Sequence, residues 1–221
     1  MELEINGCRI RPYARLEGTH NLIGADLSSA NIFRARFARA QLQRTIFFKA
    51  NLFEADFSRA DLTDADLREA DLKNANLSHA CLRGANLEGA KLANANLIRA
   101  DLTGANLKDV NLMSASCAEA IFVSAQLVRT ILEKCSANHC DFSFADFTGA
   151  NLSRGTFVSA KFDGAIMTGV RAVESEFLNA VLPHDFIAGQ VTSQASQSSV
   201  AEVDFEGQSL DHNPHDLWIH D

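Results

Sequence analysis

Between Pro12 and Pro183 the sequence contains no proline. Nothing in that span therefore removes a backbone donor from a ladder of hydrogen bonds. Aromatics other than Phe are scarce: one Trp and one Tyr stand against 15 Phe. No apolar run approaches 18 residues, so no membrane-spanning helix or membrane insertion is expected. Met-Glu-Leu-Glu-Ile-Asn lacks the basic start and apolar stretch of a signal peptide. The five cysteines, Cys8, Cys81, Cys117, Cys135 and Cys140, are odd in number and scattered. That argues against a disulfide framework and for free thiols in a reducing, cytoplasmic setting. The net charge of −8 argues against direct binding to nucleic acid. Neither a Gly-x-Ser-x-Gly turn nor a phosphate-binding glycine loop occurs. Carboxylates fall at regular surface positions with no pocket to shift their pKa. The expectation is a protein that is not an enzyme and has no cofactor.

What the sequence has instead is a rhythm. From Leu22 to Leu182 a centre residue recurs at every fifth position, through 33 consecutive pentapeptides. Nineteen centres are Leu and nine are Phe. The residue two before each centre is Ala in 24 cases and another small residue in six, with only His20, Val110 and Val170 larger. A period of five matches neither a helix at 3.6 nor a strand at 2. Yet residues two apart point the same way on an extended segment. Each unit is therefore a short extended side that sends one small and one large residue inward, and the next two residues turn the chain. Seven of the 12 glycines take the last slot of that turn, where a positive φ suits them. Such a chain winds into a solenoid.

The middle of the repeat reads Ala-Asp-Leu-Thr-Asp, Ala-Asp-Leu-Arg-Glu, Ala-Asp-Leu-Lys-Asn from Ala60 to Asn74. Ala-(Asp/Asn)-Leu-X-X repeated in this way resembles the pentapeptide-repeat family, in its regular, cyanobacterial form. The resemblance implies an all-β fold: a right-handed, quadrilateral, parallel β-helix of about eight coils, with one pentapeptide per side. Residues 21–182 are expected to form it. Residues 1–20 would form an N-terminal extended segment, either a cap on the first open end or a flexible arm. Residues 183–221 form an acidic tail: a Ser/Gln-rich linker, then Val200, Val203, Phe205, Leu210, Leu217, Trp218 and Ile219, read as a cap or as a docking segment.

With four sides, residues 20 apart stack. Arg34 then meets Glu54, Arg36 meets Asp56, Arg44 meets Asp64 and Lys49 meets Glu69, while Arg39 stands over Arg59 without relief. One inner column, Phe37, Phe57, Leu77, Leu97, Cys117, Ala137, Phe157 and Phe177, thins in its middle. Local distortion or loose packing is expected there, with Phe122 and Phe142 filling part of the gap.

Three sets of residues are candidates for function. Phe33, Phe48 and Phe53 occupy outward slots on neighbouring sides and suggest a patch for a protein partner, unless the N-terminal segment packs over them. Asp56, Asp61, Asp64, Asp66, Glu69 and Asp71 form an acidic collar. Some family members protect DNA gyrase from quinolones and are thought to imitate DNA, so gyrase is the second candidate partner. The present chain departs from them, since its repeat domain is nearly neutral and has no loop insertion. Cys135, His139, Cys140 and Asp141 look like metal ligands, but the cysteines point inward and the other two outward, so no metal site is expected. His212, His215 and His220 with Asp211, Asp216 and Asp221 would bind a metal only adventitiously. The primary reading is a rigid scaffold that binds a protein partner through its faces.

Overall fold

The structure is a computed structural model that describes residues 3–183 and Phe186. The tail assignments made above, the cap and the histidine cluster included, lie outside the described residues. From Asp26 to Val181, parallel bridges join residues 20 apart without interruption: Asp26 to Ile46, Asn31 to Asn51, and so to Lys161 and Val181. Each bridge is made by two bonds, as when Leu27 N–H donates to Ile46 O at 2.7 Å and Ile46 N–H donates to Ala25 O at 2.8 Å. Four turns separate each residue from its stacked partner, so the solenoid has four sides. We number them by their centres: the first side carries Leu22, Leu42 and onward, the second Leu27, the third Ile32 and the fourth Phe37.

Why this sequence turns at every fifth residue is visible in the outward slot. The Asp or Asn before each centre accepts a hydrogen bond from the backbone N–H two residues on. Asp56 caps Ser58 at 3.0 Å, Asp61 caps Thr63 at 3.0 Å and Asn96 caps Ile98 at 3.1 Å. This Asx turn explains the preference for those two residues there. The backbone N–H of the next small residue then closes the turn, as in Ala60 to Phe57 O at 2.9 Å. The last slot is left-handed whether or not it holds glycine: Arg34, Lys49 and Phe144 have φ of 56°, 57° and 60°.

Almost every centre from Leu22 to Phe162 is wholly buried. The inner column thins at Cys117 and Ala137, yet the expected distortion does not occur. Cys117 N–H reaches Ser136 O at 2.7 Å, Ala137 N–H reaches Thr156 O at 2.8 Å, and both residues are fully buried. The physical reason is compensation within the unit. Where the centre shrinks to Ala137, the small slot grows to Cys135; where it shrinks to Ala172, the small slot grows to Val170. Phe122, Phe142 and Phe162 also stack at 4.9 and 5.0 Å beside the gap, and Phe142 reaches Phe157 at 6.3 Å.

Polar residues in the small slot follow one rule. Thr45, Thr130 and Ser175 each donate to the carbonyl of a centre one coil earlier, at 2.6, 2.7 and 2.9 Å. Cys140 does the same to Cys117 O at 2.8 Å. Buried hydroxyls and thiols are thus satisfied and cost little.

The ladder begins earlier than the five-residue phase indicates. Ala14 and Leu16 are buried, Leu16 N–H donates to Arg36 O at 2.8 Å, and Arg36 N–H donates to Ala14 O. Here the bridge joins Arg15 to Arg36, 21 apart. One extra residue between Thr19 and Leu22 breaks the phase, which hides this unit from a strict count of fives. Before it, strands β1 (Leu3–Ile5) and β2 (Cys8–Ile10) form an antiparallel hairpin. Its turn is Asn6-Gly7, both at positive φ, as a two-residue hairpin favours. Cys8 and Ile10 join the core, and Asn6 Nδ2 donates to Asn21 O at 2.8 Å.

Candidate partner-binding surface

Phe33 and Phe53 occupy the same slot of the third side in successive coils, and Phe48 that slot of the second. All three are half-buried. The stack expected between Phe33 and Phe53 is absent among the described residues. The ring of Phe33 instead meets Tyr13 edge-on at 5.2 Å. Tyr13 belongs to the segment that precedes the five-residue phase and is 57% exposed, so the outermost aromatic at this corner is Tyr13. Arg34 lies 5.8 Å from the Tyr13 ring centre, donates to its hydroxyl at 3.3 Å, and pairs with Glu54 at 2.5 Å. That pairing holds the Arg34 guanidinium more firmly protonated than usual, the Glu54 bond being the main cause. Phe48 carries two cations, Lys49 Nζ at 4.9 Å and the Arg68 guanidinium at 5.3 Å. The region is therefore a set of aromatic faces topped by positive charge.

Of the four ion pairs expected along this end, two form: Arg34 with Glu54 and Lys49 with Glu69 at 3.4 Å. Arg36 turns back to Glu17 at 2.8 Å, and Arg44 does not reach Asp64. Asp56 is occupied by its turn, and with Glu17 beside it on the coil before, Arg36 has the nearer partner.

The acidic collar is largely spent within the chain. Asp56, Asp61, Asp66 and Asp71 each cap their own turns, Arg68 also grips Asp66, and Glu69 holds Lys49. The Arg68 hydrogen bond holds the Asp66 carboxyl below its ordinary range. Of the six acids, Asp64 has no such bond among the described residues.

Among the described residues no group of His, Cys, Asp or Glu is placed to hold a metal. Cys135 and Cys140 are buried and His139 lies outside. Cys135 Sγ donates to Cys117 Sγ at 3.6 Å; this bond, with burial, raises the Cys117 thiol well above its usual value. No helix among the described residues is long and apolar enough to cross a membrane.

One exposed aromatic escapes a reading of the Phe slots near the N-terminus. Phe144 stands in the left-handed corner slot of the first side and is 66% exposed. Its ring lies where a Cβ on Gly164, one coil on, would stand, with Cδ1 only 2.7 Å from that point. Gly164 leaves the space that this ring fills. The signal is legible: a Phe in a corner slot with Gly 20 residues later.

A four-sided parallel β solenoid, with capped corners and a core of Leu, Phe and Ala, defines this class of protein. Pentapeptide repeats match residues 14–47, 50–89, 80–116, 130–169 and 139–177, and the chain belongs to that family. Among solved structures, full-length QnrB1, a plasmid-mediated fluoroquinolone resistance protein, is similar at 18% identity with a TM-score of 0.54, over 75% of this chain and 92% of that one. HetL, a pentapeptide repeat protein involved in heterocyst differentiation regulation in the cyanobacterium Nostoc sp. strain PCC 7120, shares 29% identity over 79% of this chain and 90% of that one, with a TM-score of 0.38. A pentapeptide repeat protein of the Arabidopsis thaliana thylakoid lumen shares 24% identity over 54% of this chain and 66% of that one, with a TM-score of 0.27. No curated protein matches the chain in sequence.

Proposed function

We propose that this protein is a non-enzymatic, cytoplasmic scaffold, a right-handed rod of about eight coils that binds a protein partner through its rigid faces. The observation that carries this reading is the corner around Phe33, Phe48 and Phe53. The three rings stand half-buried on the outside of a packed core, Tyr13 meets Phe33, and Lys49 and Arg68 stand over Phe48. A preorganised aromatic and cationic surface loses little entropy on binding, and such residues dominate binding energies at interfaces. The test is recovery of partners from native cell extract by the wild-type protein and by a variant with Phe33, Phe48 and Phe53 changed to Ser. Loss of a defined partner supports the patch; equal recovery refutes it.

The second reading is a DNA-mimicking binder of gyrase. The likeness to QnrB1 is one of fold alone, and the acids of the collar are mostly engaged in turns, which ranks this reading lower. Inhibition of gyrase supercoiling, or relief of quinolone-induced cleavage, at micromolar protein would reverse that order.

A further inference from the structure

The cations of the chain are not spread evenly. A groove of about 590 Å³ lies between the hairpin and the first coil, and Arg9, Arg11 and Arg15 line it with Gly7, Tyr13, Thr19 and one acid, Glu17. Arg15 bridges to Arg36 on the fourth side. On the next corner, Arg39 and Arg59 occupy the same slot in successive coils, since Arg39 N–H donates to Ser58 O and Arg59 N–H to Ser78 O, each at 2.9 Å. All six arginines are exposed.

The acids on this surface are few, and Glu17 and Asp56 among them are engaged. Glu4 stands opposite Arg9 in the hairpin register, and Glu17 holds Arg36 at 2.8 Å. Asp56 caps Ser58 and accepts from Asn76 at 3.1 Å. Arg39 and Arg59 have no carboxylate partner among the described residues. Two guanidinium groups stacked one coil apart repel each other, and an anion beside them would remove that cost.

The chain contains a matching segment. Residues 202–221 hold Glu202, Asp204, Glu206, Asp211, Asp216 and Asp221, and no Lys or Arg. Phe186, on which the described chain ends, packs against Phe177, a centre of the fourth side, at 6.0 Å. The stretch from Phe186 to Glu202 spans about 50 Å when extended. Seven coil steps back from Val181 to the Arg39 level cover roughly 34 Å at ~4.8 Å per layer. The segment therefore reaches the arginines along the side from which it departs.

We propose that residues 202–221 dock in cis on the N-terminal end of the fourth side, with their carboxylates on Arg9, Arg15, Arg39 and Arg59.

Trp218 is the one tryptophan of the chain, so its fluorescence reports on the segment alone. In the full chain, acrylamide quenching of Trp218 is expected to rise about twofold as salt goes from about 0.01 M to about 1 M, because the Debye length falls from about 30 Å to about 3 Å. A variant with Arg9, Arg15, Arg39 and Arg59 changed to Ser should show the high value at low salt already. A control with Lys91, Lys108, Lys134 and Lys161 changed to Ser loses the same charge elsewhere and should behave as wild type. Thermal melts of each variant confirm folding, and these outward residues take no part in the core. Equal quenching in wild type and the arginine variant overturns the proposal, as does a lysine control that matches the arginine variant. If protection vanishes on hundredfold dilution, the occupant is the tail of a second copy, and docking in cis is overturned.

Discussion

Gly155 takes the small slot before Phe157, and its need for glycine is one of space. A Cβ there would stand 2.7 Å from Phe157 Cε2 and 2.9 Å from Leu152 O. The latter is backbone and cannot move aside. Phe157 stacks on Phe177 at 5.1 Å and sits beside the thin part of the column, so its ring leans into room that Ala would occupy. Gly155→Ala is expected to destabilise the fold by about 1–3 kcal/mol as an overpacked core, read as a lower midpoint in denaturant. A midpoint equal to wild type would show that the ring has room to turn away. At most other positions the small slot holds Ala without strain, so this one glycine marks where a Phe outgrows its unit.

At the level of one coil, the span from Ser116 to Ser136 is distinct. Its outward slots hold Ser116, Ile121, Gln126, Ile131 and Ser136 in succession, and among the described residues none of these side chains caps its own turn. The coils on either side are capped, by Asn111 on Met113 and by Asp141 on Ser143. The backbone ladder passes through unchanged, so the difference lies in stability and not in shape. Ile131 stands between Asn111 and Asn151 in its column and is partly exposed. Ile131→Asn restores the cap and extends a column of amides of the kind seen where Asn51 donates to Asn31 at 2.9 Å. It is expected to stabilise the protein by about 0.5–1.5 kcal/mol, and to slow hydrogen exchange at Glu133 N–H. Faster exchange at that amide would sink the idea. The gap in capping could be seen in the sequence as a run without Asp or Asn. Its meaning could not, because only the turn geometry reveals what those residues do.

Across the whole rod, ion pairs between coils couple one layer to the next. Arg129 donates to Asp109 through Nε and Nη2, at 2.7 and 2.5 Å, and Arg99 donates to Glu119 in the same way at 2.8 and 3.0 Å. These bonds hold the Asp109 and Glu119 carboxyls below their usual ranges, as the Arg68 bond does for Asp66. Folded values below the unfolded ones mean stability that is complete above the unfolded pKa and is lost as pH falls through the folded values. The melting temperature should therefore stay level from pH 7 to about pH 5 and fall below about pH 4. A decline that starts near pH 6 would place the sensitivity in histidine instead. Each pair is exposed and modest.

The four-sided solenoid could be read from the five-residue rhythm, with the number of sides taken from the family, because the pattern is local: each pentapeptide holds its own turn, cap and pair of inward side chains. The half-buried Phe33, Phe48 and Phe53 were legible as outward slots for the same reason, and Phe144 follows from the same reading of slots. What the rhythm could not show was the unit from Ala14 to Thr19, since one inserted residue shifts its phase while the hydrogen bonds absorb the shift. Nor could it show that Tyr13 covers Phe33, or that Arg36 turns back to Glu17 in place of Asp56. The sequence alone determined the turn at every fifth residue and the inward set of the repeat. Tertiary structure decided how side chains pair across coils and where the hairpin lies, because both depend on groups far apart in the chain competing for the same partners.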